Sequence, residues 1–156
     1  MNTSAAAGTD TTRWPSAATS TVFNIGSGGN VNVSGGDFVA YCFAPVEGYS
    51  AMGSYTGNGS SDGPFIYTGF KPAFLMVKRT DSSASWIIVD STRNPFNPVD
   101  KYVQPNSNSV EATGSYFNFL SNGFNVRTTV TPVNANSGTY VYVAFATHPQ
   151  KTARAA

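Results

Sequence analysis

The side chains best suited to chemistry in this sequence are aromatic rings set among amide and carboxylate groups. Tyr49, Tyr55 and Tyr67 lie in or beside a segment rich in glycine and serine, which also contains Asn58 and Asp62. An aromatic ring stacks on the apolar face of a sugar, and polar side chains nearby hydrogen-bond its hydroxyls. These five residues therefore predict a shallow glycan site. For Tyr49 and Tyr55 a place in the core is an equally good interpretation.

Residues 57–63 (GNGSSDG) offer asparagine and aspartate oxygens in a glycine loop, which is the kind of ligand that Ca²⁺ prefers. The spacing does not fit the calcium loop that carries a distal glutamate. A plain long loop is therefore the favoured interpretation, and the sequence predicts no metal and no cofactor.

Asp90 and Arg93 are spaced to pair at the end of a predicted strand. The pair could grip a ligand hydroxyl or carboxylate, but a structural pair that braces the loop through Pro95 and Pro98 is favoured. Trp86, at the start of the same strand, is a further candidate to stack on a sugar, but a structural place in the core is favoured.

Catalytic groups are scarce. His148 is the only histidine, and the carboxylates near recognisable strands, Glu47, Asp90 and Glu111, are far apart in sequence. Catalysis needs a base near a nucleophile or two carboxyl groups with separated pKa values. Cys42, the only cysteine, is expected to be a buried and inert thiol. The sequence therefore predicts no enzyme, and a depolymerase acting through Asp90 or Glu111 is the remaining catalytic hypothesis.

The composition predicts an all-β domain. Valine and isoleucine number 19 against two leucines, and β-branched side chains fit pleated sheets. We expect an antiparallel β-sandwich of the jelly-roll or concanavalin-like lectin type. Nine basic residues against eight acidic ones argue against nucleic acid as a partner. No apolar run predicts a membrane helix, and Met1–Asp10 does not resemble a secretory signal.

The predicted organisation is an arm or linker over residues 1–20, a β-sandwich over 21–149 and a tail over 150–156. Asn122-Gly123 predicts a hairpin turn, Tyr102–Gln104 a short edge strand, and Ser109–Thr113 at most one helical turn. The other predicted strands are Val22–Ile25, Val31–Val33, Phe38–Ala44, Phe65–Thr68, Phe74–Lys78, Trp86–Asp90, Tyr116–Leu120, Asn125–Thr131 and Tyr140–Ala146.

A partial internal repeat is visible, because Val31–Ala44 aligns with Val133–Ala146 at an offset of 102 residues. Each copy has an asparagine-containing turn followed by an aromatic strand. The chain is therefore expected to be one and a fraction repeats of a larger array. Tyr41 and Tyr142, in the repeated strands, are expected to serve structure, in the core or in a subunit interface.

A family resemblance is carried by three collinear matches: Gly48–Asp81 with its TGFKPAFLMVKR run, Trp86–Asn97, and Phe119–Val126 together with Ser137–Pro149. Together with Phe38–Ala44 they resemble an uncharacterised β-sandwich domain family associated with tail and tail-fibre proteins of bacteriophages, especially those of aquatic bacteria. The resemblance covers roughly residues 10–150. It implies a virion component with an adhesion role, and it transfers no catalytic or ligand residue. The missing first half-repeat suggests a trimmed sequence or a small free-standing protein.

We therefore expect a non-enzymatic module of a phage tail or tail fibre, located in the virion, that adheres to host-surface glycans. The alternative is a purely structural domain that assembles or decorates the virion. Its partners would be other virion proteins or itself, as a possible homotrimer, without nucleic acid and without membrane insertion.

Overall fold

The computed structural model describes residues 3–147, which divide into two compact units. One unit contains residues 3–7 and 44–147, and the other is Gly8–Phe43. All the strands of the described residues lie in the first unit, since none begins before Ser50. The predicted boundaries after residues 20 and 149 do not coincide with this division and stay predictions. The predicted tail and His148 lie outside the described residues.

The first unit is a single eight-stranded antiparallel sheet, which confirms the all-β prediction. Its order is β1-β8-β3-β4-β5-β6-β7-β2. The strands are β1 (Ser50–Thr56), β2 (Phe65–Tyr67), β3 (Pro72–Arg79), β4 (Ile87–Asp90), β5 (Val99–Val103), β6 (Ala112–Leu120), β7 (Gly123–Val126) and β8 (Thr139–Ala146). One helical turn, α1 (Thr131–Asn134), precedes β8.

The sheet curls until its two ends face each other across one aromatic core. Tyr55 of β1 makes an edge contact with Phe124 of β7, their ring centroids 6.2 Å apart, and Phe124 also contacts Tyr142 of β8 at 5.3 Å. Alternate residues of each strand point inward, as period-two patterning requires. The sheet is therefore nearly closed.

The strand predicted at Phe38–Ala44 is wrong, as are those at Val22–Ile25 and Val31–Val33. Tyr41 is 83% exposed, and Cys42 is exposed rather than buried. An unbroken apolar run indicates a strand only if flanking strands and covering layers bury it, and the described residues do not form that surrounding for 38–44. The repeat is therefore a similarity of sequence whose first copy does not form the strand.

Several boundaries also differ from the predictions. Tyr102 lies in β5, an interior strand between β4 and β6, because both neighbours supply backbone partners that the local sequence does not reveal. The segment Ser109–Thr113 leads into β6 instead of forming a helical turn. The hairpin at Asn122-Gly123 is confirmed, joining β6 to β7. The strand expected to reach Thr131 ends at Val126, and α1 begins at Thr131 with Pro132 in its first turn.

A charged fork ties the end of β3 to the start of β8. Arg79 donates from Nε and Nη2 to the two carboxylate oxygens of Asp81, at 3.0 and 2.8 Å. Asp81 Oδ1 also accepts a hydrogen bond from the backbone N–H of Thr139 at 3.0 Å. The hydrogen bonds from Arg79 hold the pKa of Asp81 well below its usual value.

Asp81→Asn is expected to lower the melting temperature at neutral pH, because an amide cannot form the charged fork. The lowered pKa means that the carboxylate stabilises the fold above about pH 4 and loses this effect as the pH falls through the folded-state pKa. The difference in melting temperature between the variant and the native chain should therefore shrink below about pH 4. Thermal unfolding followed by circular dichroism at neutral and acidic pH measures it. Ser83→Ala, in the same exposed turn, is the control, and a difference that does not change with pH would contradict the prediction.

Candidate functional site

The Gly57–Gly63 loop, predicted to carry ligand groups, is held by one buried asparagine. Asn134 of α1 is fully buried and donates from Nδ2 to the carbonyl oxygens of Ser60 and Thr128 at 2.8 and 2.7 Å. Its Oδ1 accepts a hydrogen bond from Asn58 N–H at 2.9 Å, and a Cβ at Gly57 would meet Ala135 O at 2.3 Å. The loop is therefore packed tightly against α1.

The polar groups of this loop are largely engaged within it. Asn58 donates from Nδ2 to Asp62 O at 2.9 Å and accepts at Oδ1 from Ser60 N–H at 2.9 Å. Asn134 Nδ2 also approaches the same Oδ1 at 3.1 Å. The side chain of Asn58 thus serves the loop rather than a ligand. Asp62 remains exposed, and no group of three or more His, Cys, Asp or Glu residues within 3–147 could hold a metal ion.

Tyr55 belongs to the core, so the prediction that it binds a ligand is wrong. Its ring stacks on that of Tyr140 at a centroid distance of 4.8 Å, and its hydroxyl donates to Val133 O at 2.8 Å. Burial raises the pKa of the Tyr55 hydroxyl well above its usual value. Tyr142 is also buried and packs closely over Gly53.

The other predicted aromatics are accessible but separate. Tyr49 is exposed, and its ring contacts that of Phe145 at 5.8 Å, beside the start of β1. Tyr67 is 69% exposed on the edge strand β2 and shares its outer face with Phe65, as residues two apart in a strand do. Neither ring lines the cavities near Phe96 and Trp86 described below, and the structure does not unite the five predicted residues in one pocket.

The loop 91–98 is built by Asp90 and Arg93. Asp90 Oδ1 accepts hydrogen bonds from the backbone N–H groups of Thr92 and Arg93 at 3.0 and 2.8 Å, and these bonds fix the turn after β4. The Arg93 guanidinium lies 3.3 Å from Asp90 Oδ2. Asn97 Oδ1 accepts a hydrogen bond from Phe119 N–H at 2.8 Å, and Asn97 Nδ2 donates to Phe119 O at 2.9 Å. These two bonds hold the loop against β6.

This loop forms a cleft of about 210 Å³ that sequence reasoning missed. Phe96 stands at it with 82% of its surface exposed. Lys71, Ser91 and Asn94 supply an ammonium, a hydroxyl and an amide. The two prolines predicted only irregular backbone here. The one sequence signal for a binding site was Phe96, an aromatic residue in a polar segment between Asn94 and Asn97.

A second carboxylate joins Asp90 at this end of the sheet. Arg93 Nε lies 3.4 Å from Glu111 Oε2, and Lys101 Nζ lies 3.9 Å from Glu111 Oε1. The fold therefore brings together Asp90 and Glu111, which are far apart in sequence. Glycoside hydrolysis uses two carboxyl groups that flank the scissile bond, and here Arg93 contacts both carboxylates.

Trp86 lies just before β4 and is half-buried. Its indole N–H donates to Thr3 O at 3.2 Å, and its backbone N–H donates to Asn106 Oδ1 at 2.8 Å. Beside it, a cavity of about 280 Å³ is lined by Trp86, Lys78 and residues 5–7. Lys78 donates from Nζ to Arg79 O and Ser4 O at 2.6 and 3.3 Å, and burial lowers its pKa. The hydrogen bonds from Trp86 and Lys78 thus hold residues 3 and 4 against the sheet.

Fold and cleft define a small all-antiparallel β domain that carries a polar, aromatic-rimmed cleft on one of its loops. The chain belongs to a family described as a domain of unknown function (DUF7483), which it matches over residues 1–149. No curated protein matches the sequence, and no solved structure matches the fold. Within residues 3–147, no helix has the length and apolar character needed to cross a membrane.

Proposed function

We propose that this chain is a non-enzymatic adhesion module of a phage tail or tail fibre, and that it binds host-surface glycans in the cleft of the loop 91–98. The cleft is smaller than the ~300–1,000 Å³ of sites for drug-sized ligands, which suits one sugar ring at a surface. The exposed ring of Phe96 offers a stacking face, and Ser91 and Asn94 offer hydrogen bonds to hydroxyls. The observation that carries the proposal is this pairing of an exposed aromatic with polar groups around one cleft.

The charge of the cleft narrows the ligand class. Lys71 is the single charged side chain among the residues that line it, and it is exposed. An ammonium group attracts carboxylates, so the proposed ligand is a glycan that contains acidic sugars. Loop-borne sites on a rigid sheet are a common arrangement for recognition.

The proposal is tested with an array of neutral and acidic bacterial polysaccharides and with intact host cells. Phe96→Ala and Lys71→Ala are expected to weaken binding at least ~5-fold, since each removes a direct contact of about 1 kcal/mol or more. Phe65→Ala, which removes an exposed ring far from the loop in strand order, should leave binding unchanged. Absence of binding at millimolar sugar, or equal loss with Phe65→Ala, would contradict the proposal.

The proposal also includes the type of β fold. We take the curled sheet to be a β-sandwich of the jelly-roll or concanavalin-like lectin type, in which two halves of one sheet face each other. The contacts of Phe124 with Tyr55 and Tyr142 support it, because they join strands from opposite ends of the sheet order.

A structural role in virion assembly is the second candidate, and an apolar row on the outer face of the sheet favours it. These residues are direct cross-strand neighbours and half-buried, and the row is Met52, Val143, Met76, Ile88 and Val103. Interfaces are depleted in charge and enriched in such side chains. The chain would then form homo-oligomers, with a trimer as the expected state.

Sedimentation of the native chain and of Met76→Glu tests the second candidate. Self-association at micromolar concentration that the charge abolishes would support assembly. A clean monomer would contradict it.

A polysaccharide depolymerase is the third candidate, and it uses the pair Asp90 and Glu111. It requires release of reducing ends from host envelope polysaccharide, abolished by Asp90→Asn or Glu111→Gln. Binding without release would leave adhesion as the function.

A further inference from the structure

Residues 22–44 correspond in sequence to the C-terminal part of the sheet domain, which contains β7, α1 and β8, and not to β8 alone. Phe23-Asn24-Ile25 aligns with Phe124-Asn125-Val126 of β7, one residue out of register with the match of Val31–Ala44 to Val133–Ala146. The segment therefore has counterparts of β7, of α1 and of β8, in that order.

The counterpart of α1 has the same local hydrogen bonds. In α1 the N–H groups of Val133 and Asn134 donate to Val130 O at 3.2 and 2.8 Å. At the equivalent positions, Val31 and Asn32 both donate to Gly28 O at 2.9 Å. Residues 28–32 thus form a turn with the same two backbone hydrogen bonds.

The turn that follows is also the same. Gly138 N–H donates to Ala135 O at 3.0 Å, and its equivalent Gly36 donates to Val33 O at 3.1 Å. The residue before each of these glycines also matches, because Ser137 has a φ of 59° and its equivalent Gly35 has a φ of 74°. Ser137 is the only non-glycine residue with positive φ within 3–147, so a left-handed residue at both positions marks a shared structure.

The local side-chain hydrogen bond of Asn134 is repeated as well, although Asn32 itself is exposed. Asn134 donates from Nδ2 to Thr128 O at 2.7 Å, and Asn32 donates from Nδ2 to Gly26 O at 3.0 Å, again 102 residues apart. Asn134 also holds the Gly57–Gly63 loop, and the described hydrogen bonds give Asn32 no such loop to hold.

The positions that are fully buried in the complete sheet are apolar here but less buried. Phe124, Val126, Val133, Tyr140 and Ala144 are fully buried, and their equivalents are Phe23, Ile25, Val31, Phe38 and Cys42. Phe23, Ile25 and Phe38 are between 44% and 48% exposed. Two buried tyrosines differ, because Phe38 stands in place of Tyr140 and Ala40 in place of Tyr142, so the segment lacks both hydroxyls and one ring. This segment therefore carries the inward face of β7 and β8 without the strands against which that face packs.

We propose that residues 22–44 complete the sheet of a second domain of this family, supplying β7, α1 and β8 to strands β1–β6 of that domain. In β8 the backbone pairs with β1 on one side and β3 on the other, so Phe38–Ala44 would lie between the β1 and β3 of the second domain. The Gly57–Gly63 loop of that domain would bond Asn32 as Asn58 and Ser60 bond Asn134. The partner is thus a β-sheet of the same family, and adhesion or assembly at the first sheet is independent of it.

The test adds the missing strands to the full chain. A copy of residues 44–120 is fused ahead of Met1 through a flexible Gly/Ser linker, which supplies β1–β6 of a second sheet. Cys42 is the only thiol in both proteins and aligns with the buried Ala144. In the native chain the exposed Cys42 should react rapidly with a thiol reagent, and in the fusion it should react at least ~50-fold more slowly. Equal rates, or a slow rate already in the native chain, would overturn the proposal.

Two substitutions in the fusion distinguish the proposed packing from general apolar association. Phe38 aligns with the buried Tyr140, whereas its neighbour Val39 aligns with Val141, which is 41% exposed. Phe38→Asp should restore rapid labelling of Cys42, and Val39→Asp should not. Equal effects of both would overturn the assignment of faces.

A chimaera keeps the test independent of the folding of the fused copy. Thr131–Ala146 of the full chain is replaced with residues 29–44, which have the same length. If these residues are equivalent to α1 and β8, the chimaera unfolds cooperatively, with a melting temperature lowered by the missing Tyr140 hydroxyl and smaller side chains. A control with the order of residues 29–44 scrambled should not fold. A chimaera as disordered as this control would overturn the proposal.

Discussion

Phe124→Ala is expected to lower the free energy of unfolding by about 3–5 kcal/mol, a large part of the total for a domain of this size. Phe124 is fully buried, and its ring contacts Tyr55, Phe117 and Tyr142 with centroid distances of 6.2, 5.8 and 5.3 Å. These three residues lie on three other strands, so the ring packs between the facing ends of the sheet. Truncation leaves a cavity that the antiparallel backbone can close only by breaking its own pairing.

Urea denaturation followed by circular dichroism measures the loss. Phe65→Ala is the matched control, because Phe65 is a phenylalanine on the adjacent strand β2 but points outward and is half exposed. It should cost less than about 1 kcal/mol. Equal effects at the two positions would mean that Phe124 does not hold the ends of the sheet together.

Asn134→Ala is expected to cost about 3 kcal/mol, even though it removes only a small polar side chain. Asn134 is fully buried and bonds Asn58, Ser60 and Thr128, which belong to two separate loops. Loss of the amide leaves the carbonyl oxygen of Thr128 and the backbone N–H of Asn58, which form partly buried hydrogen bonds, without these partners. An unpaired buried group costs more than the average hydrogen bond contributes.

The expected signature goes beyond stability. In Asn134→Ala the Gly57–Gly63 loop should become a preferred site of limited proteolysis, while the strands stay protected. Asn136→Ala, two residues away but exposed, is the control and should change neither quantity. Destabilisation without any change in loop protection would contradict the view that Asn134 fixes this loop.

Sequence predictions were correct where a structure depends on residues close together in the chain, and they failed where it depends on distant residues. The hairpin at Asn122-Gly123 and the strands around Leu75 and Tyr140 were predicted correctly, because turn chemistry and β-branched or aromatic runs act within a few residues. The segment Phe38–Ala44 was predicted with the same logic and failed. Its composition is that of a buried strand, but a strand also needs partners along both edges, and composition does not supply them.

The candidate site was even less predictable. Tyr55 and Tyr49 have similar surroundings in sequence, yet one is stacked in the core and the other is exposed, because Tyr55 lies on the inward face of β1 whereas Tyr49 lies in the turn before that strand. The cleft of the loop 91–98 joins Lys71 to Phe96 through Phe119, three residues from separate parts of the chain. No local pattern could bring them together.

The sequence by itself determined the all-β class, the positions of most turns and strands after residue 50, and the similarity between Val31–Ala44 and Val133–Ala146. These depend on side-chain shape, backbone preference and the alternation of apolar residues, which are written into short stretches. Only the tertiary structure decided the strand order, which aromatics are accessible, the meeting of Asp90 with Glu111, and the absence of strand pairing at 38–44. Each of these depends on contacts between residues distant in the chain, whose free energy exists only once the sheet has curled and closed around its core.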